Sequence, residues 1–152
     1  MPTGLKQTSS TVAIGFSATE TAPNTFLQDT VDLNLSPLDR EVFVVLAINM
    51  DPFSPDGQAG VDSFVTSSVT TTSQTAVQQL SSSNCLAHGS RVIRAAGFAD
   101  AGVSFESQIG ETPPSTLDYI GIIATNDFFV QVQGVGNLVN KAVHGKLYGY
   151  RA

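Results

Sequence analysis

A chain of 152 residues with one cysteine can bury a core in a single domain but cannot form an intrachain disulfide, which excludes a disulfide-stapled secreted scaffold. The formal net charge of -6, with only seven Lys and Arg, argues against nucleic acid as the main ligand, because phosphate binding uses clustered basic side chains. Charged residues make up 13% of the chain, against about 25% in ordinary soluble domains. Such a charge-poor surface predicts association with other copies, since little repulsion keeps them apart.

The N-terminal segment reads as a polar arm over residues 1–10, followed by one domain over residues 11–152. The arm contains no apolar region of the kind found in a secretion signal, and no apolar run approaches the roughly 18 residues of a transmembrane segment. We therefore expect neither. Alternation then predicts a short strand over 11–16 and a longer one over 25–35, and Ser36-Pro37-Leu38-Asp39 predicts a turn.

Residues 41–51 predict a central core strand. The even-numbered positions form one apolar face, made of Val42, Val44, Leu46, Ile48 and Met50. A fully buried side chain on that face is expected to cost about 2–5 kcal/mol when truncated to alanine, and Leu46→Ala is the chosen test.

The segment 51–62, with two prolines and two glycines, predicts a loop. Asp51, Asp56 and Asp62 offer oxygens of the kind that Ca²⁺ prefers, but their spacing does not match an EF-hand. We expect no structural calcium here. Thermal melts with EDTA and with added Ca²⁺ should therefore coincide.

Residues 63–83 are rich in Thr, Ser and Val, which predicts an exposed or edge strand. Residues 75–80 are compatible either with that description or with one or two helical turns. Further strands are predicted over 91–98 and 103–109, with Val103, Phe105 and Ile109 directed inward.

The C-terminal third predicts three strands in succession. Residues 117–125 are an apolar run typical of a strand buried on both faces, and residues 127–133 alternate. After a turn at Gly134-Val135-Gly136-Asn137, residues 141–151 resume a period of two. One side of this last strand carries Val143, Gly145, Leu147 and Gly149. The other side is predicted to form an aromatic and basic edge. It carries Ala142, His144, Lys146, Tyr148 and Tyr150.

Lys141, Lys146 and Arg151 are the only charges after Asp127. They either balance acidic strands of the same fold or meet an acidic patch on a neighbouring copy. Because Tyr and Arg are favoured at interfaces, the second alternative predicts an assembly surface that includes the loops 52–61 and 110–116. Tyr148→Ala with Tyr150→Ala should then weaken assembly more than the fold. The candidate residues of this interface are Lys146, Tyr148, Tyr150 and Arg151.

Motifs with catalytic or metal-binding chemistry are weak. Cys85 and His88 form a C-x-x-H pair, but zinc needs four ligands and only His144 remains as a further histidine. Gly134-x-Gly136 lacks the helix of a dinucleotide fingerprint and is better explained as a hairpin turn. No G-x-S-x-G elbow is present. We expect no catalytic residues, no metal and no cofactor, and hence not an enzyme.

Eight or nine short strands with frequent turn signals predict an all-β fold: a single-domain antiparallel β-sandwich. With EVFVVLAINMD and LDYIGIIATNDFFVQVQG as core strands, the pattern over 25–151 resembles small jelly-roll capsid proteins of viruses. The resemblance implies a self-assembling shell protein in the virion, made in the host cytoplasm, with copies of itself and other virion proteins as partners. Residues 1–24 carry only Lys6 and Glu20 as charges, which departs from a basic genome-binding arm, so we expect no direct grip on nucleic acid.

A carbohydrate-binding or adhesive β-sandwich is the alternative. Sugar sites stack rings on exposed aromatic side chains and satisfy hydroxyl groups with Asp, Asn and Gln. Tyr119, Tyr148 and Tyr150 offer such rings, although the chain contains no Trp.

Overall fold

The computed structural model describes residues 4–58, 60–95, 104–108 and 118–152. This part of the chain contains nine strands and no helix. In chain order the strands are β1 (Val12–Thr19), β2 (Leu27–Asp32), β3 (Phe43–Pro52), β4 (Ser63–Thr70), β5 (Cys85–Arg94), β6 (Ser104–Gln108), β7 (Gly121–Ile123), β8 (Asp127–Val135) and β9 (Ala142–Arg151).

The strands form two antiparallel sheets that face each other across one apolar core. The first sheet has the order β1-β9-β3-β7 and the second β2-β8-β4-β5-β6. Only the β4–β5 and β5–β6 connections stay within one sheet, and every other connection crosses to the opposite sheet. This alternation gives a jelly-roll-like sandwich with one additional strand, β6. The predicted antiparallel β-sandwich is confirmed.

Strand β3 contains a bulge that changes which side chains reach the core. Its register against β9 shifts between Val45 and Ala47, leaving Leu46 without a partner. Before the bulge the odd-numbered Phe43 and Val45 belong to the core, and after it the even-numbered Ile48 and Met50 do. The predicted continuous even face is therefore correct for Ile48 and Met50. The predicted face is wrong for Leu46, which is half-buried. Val42 is also half-buried, and Val44 is buried but lies outside the main core cluster.

Strand β4 is central, so the prediction of an exposed or edge strand is wrong. It lies between β8 and β5, and four of its five hydroxyl-bearing residues, Ser63, Ser67, Ser68 and Thr70, are fully buried. Each hydroxyl has a partner; Ser67 Oγ, for example, donates to the Gly89 carbonyl at 3.0 Å. Small hydroxyl side chains are tolerated in a buried strand because hydrogen bonds offset their desolvation. Residues 75–80 form bends and turns, with no helix.

Strands β5, β6 and β7 depart from their predicted limits. β5 begins at Cys85 rather than at residue 91, and residues 96–98 lie outside the described part of the chain. Phe105 in β6 lies on the predicted core-side face of its sheet, because it is paired with Ile93, but it is 57% exposed and does not reach the core. Val103 and Ile109 lie outside the described residues. β7 is a three-residue edge strand with Ile122 38% exposed, so the predicted strand buried on both faces is wrong.

The last two strands follow the prediction closely, except for the turn that joins them. Phe128, Val130 and Val132 of β8 are fully buried in the core, and Val143 and Leu147 of β9 face them from the other sheet. The turn is a corner between sheets rather than a hairpin, because β8 and β9 belong to different sheets. It requires Gly136, whose φ is +70° and whose added Cβ would lie 2.4 Å from the Asp62 carbonyl oxygen.

Candidate assembly surfaces

The row of aromatic and basic side chains on β9 lies on an outward sheet face, not at an edge. β9 is hydrogen bonded to β1 on one side and to β3 on the other, so the predicted aromatic and basic edge is corrected to a face. Lys146 is exposed and Tyr148 half-buried, and both are available to a partner. Tyr150 is only 6% exposed, so the double substitution of Tyr148 and Tyr150 would perturb the fold itself.

The three basic residues of the tail have different surroundings. Lys141 Nζ lies 2.8 Å from Asp56 Oδ1. The Arg151 guanidinium donates to the Leu33 carbonyl, with Nη2 at 2.8 Å. Lys141 is thus balanced by an acidic side chain of its own fold, as in the first alternative, whereas Arg151 bonds a backbone carbonyl and Lys146 is exposed. The four candidate residues therefore do not form one exposed patch, and their role in assembly stays a prediction.

The N-terminal arm runs beside the end of β9. The Thr8 N–H donates to the Arg151 carbonyl at 2.8 Å, and the Arg151 N–H donates to Ser9 Oγ at 2.9 Å. The Thr8 hydroxyl also donates to the Glu41 carboxylate. That bond, the Ser36 N–H and the charge of Arg151 lower the pKa of Glu41.

A depression of about 280 Å³ lies on the outward face of the first sheet, lined in part by Asn49, Asp51, His144, Lys146 and Tyr148. The His144 ring packs against the ring of Phe53 at 5.2 Å between centroids. The Asp51 carboxylate accepts from Arg91 Nη2 at 3.0 Å. An aromatic ring beside polar side chains is the arrangement that a sugar site uses.

One end of the sandwich is built by three loops that hydrogen bond to one another. We call it the loop end; it comprises residues 20–26, 53–58, 60–62 and 136–141. Glu20 is 2% exposed, and its carboxylate accepts from the backbone N–H groups of Lys141 at 2.8 Å, Thr25 at 2.8 Å and Gly134 at 3.0 Å. A buried carboxylate with three donors is well compensated for its desolvation and fixes the chain around it.

Asp56 and Asn137 connect the other two loops. Asp56 Oδ2 accepts from the N–H groups of Leu138 at 2.9 Å and Val139 at 3.1 Å, while Oδ1 bonds Lys141. The hydrogen bond from Lys141 and these two backbone donors hold the pKa of Asp56 below its usual range. Asn137 exchanges two hydrogen bonds with Asn24, whose φ is +61°, and accepts from the Asp56 N–H at 2.9 Å. The loop end is thus a firmly tied unit.

The loop end presents apolar side chains to solvent. Leu138 is 66% exposed and Val139 55% exposed, although their backbone groups are fixed by Asp56. Phe53 at 45% and Val61 at 37% belong to the neighbouring loop, and Val135, at 39%, precedes the corner. Exposed apolar side chains on an ordered framework are typical of a surface that binds another protein. The predicted interface loop 52–61 belongs to this end, and 110–116 lies outside the described residues.

Sequence reasoning missed the loop end because its order comes from contacts between distant residues. Glu20 and Lys141 are 121 positions apart, and the Asp56 and Lys141 side chains 85 apart. Two signals were available: the acidic Glu20 in an otherwise uncharged segment, and the apolar pair Leu138-Val139 between the predicted turn and the last predicted strand.

Part of the outward face of the second sheet is covered by the chain itself. Residues 71–84, between β4 and β5, fold over it and are held by glutamines. Gln131 is fully buried, and its Nε2 donates to Gln28 Oε1 at 2.9 Å and to Thr70 Oγ1 at 2.8 Å. Gln28 Oε1 in turn accepts from the Gln74 N–H at 2.7 Å, which belongs to the covering loop. The two sheets therefore differ, since no such loop lies over the first sheet in the described structure.

The residues considered for metal binding have separate partners. Asp51 bonds Arg91, Asp56 bonds Lys141, and Asp62 Oδ1 accepts from the Ala95 N–H at 2.9 Å. Cys85 Sγ and His88 Nδ1 both lie near the Gln78 carbonyl, at 3.9 and 2.9 Å, where they anchor the covering loop. Burial raises the pKa of the Cys85 thiol.

The fold places the chain in the jelly-roll-like class of β-sandwiches, which includes viral capsid and lectin domains. No protein-family model matches the chain, and no curated protein matches it in sequence. A solved structure described as Desmodium yellow mottle tymovirus aligns with 100% of this chain and 94% of its own, at 9% identity and a TM-score of 0.31. An alignment at this level is too weak to support an assignment of function. Within the described residues, no helix has the length and apolar character needed to cross a membrane.

Proposed function

We propose that this protein is a structural subunit that associates with copies of itself into a shell, as a viral coat protein does. The observation that carries the proposal is the loop end. Leu138 and Val139 are more than half exposed although their backbone groups are fixed by Asp56. Burying such side chains against a neighbour removes apolar surface from water without a large cost of ordering the loop.

The low charge of the molecule supports association with an identical partner. Only 13% of the residues are charged, and Asp56 and Lys141 already neutralise each other. The charges of Asp56 and Lys141, next to Leu138 and Val139, are therefore paired, and interfaces are likewise depleted in charged residues. In this proposal the chain acts through assembly rather than catalysis, and its location is the assembled particle.

Leu138→Ser with Val139→Ser tests the proposal. The double variant should keep the wild-type melting temperature, because both side chains face solvent, but should lose assembly in light scattering and negative-stain microscopy. Leu38→Ser with Leu80→Ser is the matched control, since these side chains are also exposed, at 94% and 49%, but lie outside the loop end. Equal assembly by both double variants would contradict a role for the loop end.

A carbohydrate-binding module is the second candidate, favoured by the depression beside Tyr148. Titration with a panel of neutral hexoses, followed by NMR, is the direct measurement. Binding there should shift the ring signals of Tyr148 and His144, and Tyr148→Ala should abolish the shifts. An unchanged spectrum throughout the panel would leave assembly as the supported function.

A further inference from the structure

We infer that the free edge of β1 is a pairing site for β1 of a second copy, so that two first sheets join across a two-fold axis into one continuous sheet. The inference rests on the proposed function, because it names one contact through which copies associate. It starts from a comparison of the four sheet edges. Exposed strand edges present unpaired N–H and C=O groups, and proteins usually protect them by short length, charge, proline or a covering segment.

Three of the four edges carry such protection. β7 is only three residues long. β2 carries Asp29 on the same face as the core-directed Leu27 and Val31, which makes it an inward-pointing charge, and Gln28 ties the strand to the covering loop. β6 is five residues long and carries Glu106.

Within the described part of the chain, the edge of β1 has none of these devices. Its eight residues, VAIGFSAT, contain no charge and no proline, and its register against β9 is unbroken from Val12 to Thr19. Among the described residues, no strand or loop pairs with its other side. The strand thus offers a long, unbroken and uncharged row of backbone groups.

Space for an incoming strand is present beside β1. A groove of about 580 Å³ is lined by Gly15 to Ser17, the β2 residues 29–32, and His144 with Gly145. The outward face at Gly15 is open as well, since no atom lies within 4 Å of the position that a Cβ there would occupy.

A second copy fits this edge by symmetry. In an antiparallel two-fold pair that keeps both cores on the same side, residues directly opposite must share a face, so one residue faces its own equivalent. The two registers with the greatest overlap of β1 place Gly15 or Phe16 at that position. The outward-facing side chains are then Ala13, Gly15, Ser17 and Thr19, which are small and uncharged. In both registers, therefore, no charged side chain of one β1 strand lies opposite a charged side chain of the other.

The test is Ala13→Glu with Ser17→Glu, compared with Ala76→Glu and Ser81→Glu in the β4–β5 loop. Both double variants change the same residue types at exposed positions and add the same charge. In either register the new glutamates on β1 are direct or diagonal neighbours across the two-fold axis, and Asp29 and Asp32 line the same groove. Sedimentation equilibrium should show a pairing at least about tenfold weaker in the β1 variant and unchanged in the control. Wild-type pairing should also tighten with salt, which screens those aspartates.

Circular dichroism melts establish that the β1 variant is folded, and Ser17→Glu alone gives the same readout if the double variant melts too early. If the wild type assembles and the β1 variant assembles equally well, the pairing site is wrong while the proposed function stands. Pairing that weakens as the salt concentration rises would also overturn the β1 pairing site. A wild type that stays monomeric would overturn both.

Discussion

The residues that matter most in this sandwich are those whose surroundings a local pattern cannot show. Alternation correctly predicts that Ile48 is in the core, because the period of two holds over the second half of β3. It fails at Leu46, because a bulge inserts one residue and reverses the faces before it. A bulge depends on the partner strand, so nothing local in EVFVVLAINMD indicates it. The tied carboxylates of Glu20 and Asp56 were likewise invisible, since their partners are distant in sequence.

Ile48→Ala and Leu46→Ala should therefore have unequal effects. Ile48 is fully buried in the core cluster, so its truncation is expected to cost about 2–5 kcal/mol of the free energy of unfolding. Leu46 is half-buried at the bulge, so its truncation should cost less than half as much. Urea unfolding measures both. Equal losses would mean that the bulge is misplaced.

Asp56→Asn is expected to lower the free energy of unfolding by about 1–3 kcal/mol at neutral pH, because the charged Lys141 loses its partner. The pKa of Asp56 is lowered in the folded state, so its stabilisation is fully present above the ordinary value of about 4 and is lost as pH falls through the folded-state pKa. The wild type and the variant should therefore converge in acid.

Exposed Asp39→Asn is the control for that pH series, since it removes the same charge without a buried partner. Urea unfolding from pH 7 down to about pH 2 gives the comparison. A difference between Asp56→Asn and the wild type that persists undiminished at the acid end would rule out ionisation of Asp56 as its cause.

At the scale of elements, the sequence predicts which segments form strands but not where each strand lies within its sheet. Residues 127–133 and 141–151 alternate cleanly, and both are strands. Residues 63–70 were predicted to form an exposed strand because they are rich in Ser and Thr, yet β4 is central and its hydroxyl groups are satisfied inside. Residues 117–125 look buried because they are apolar, yet β7 is a short edge. Strand order is a non-local property, so hydropathy alone does not determine it.

The covering loop 71–84 provides an element-scale prediction. Gln131→Ala should leave Thr70 and Ser68 without a side-chain partner, at a cost of about 1–3 kcal/mol. It should also remove the bond that anchors Gln28, the residue that holds the loop. Hydrogen exchange should then accelerate over residues 71–84. Gln133→Ala is the control, because no hydrogen bond is made by that side chain in the described structure. Unchanged exchange in Gln131→Ala would show that the loop is held by other contacts.

For the whole molecule, the class of fold followed from composition and period: many short alternating segments separated by turn residues admit a sandwich or a barrel. The jelly-roll-like order of the strands followed only from the strand pairings of the structure. The candidate surfaces likewise depend on the structure. The charge-poor composition predicted association, whereas the apolar loop end and the unprotected edge of β1 required the three-dimensional arrangement.

The mass of the wild-type particle as a function of concentration tests self-assembly most directly. Sedimentation velocity up to about 1 mM detects even an association of roughly 4 kcal/mol. We expect the mass to rise above the 15.9 kDa of one chain, with closed particles in negative stain. A constant mass of one chain at every concentration and salt would contradict a shell-forming subunit.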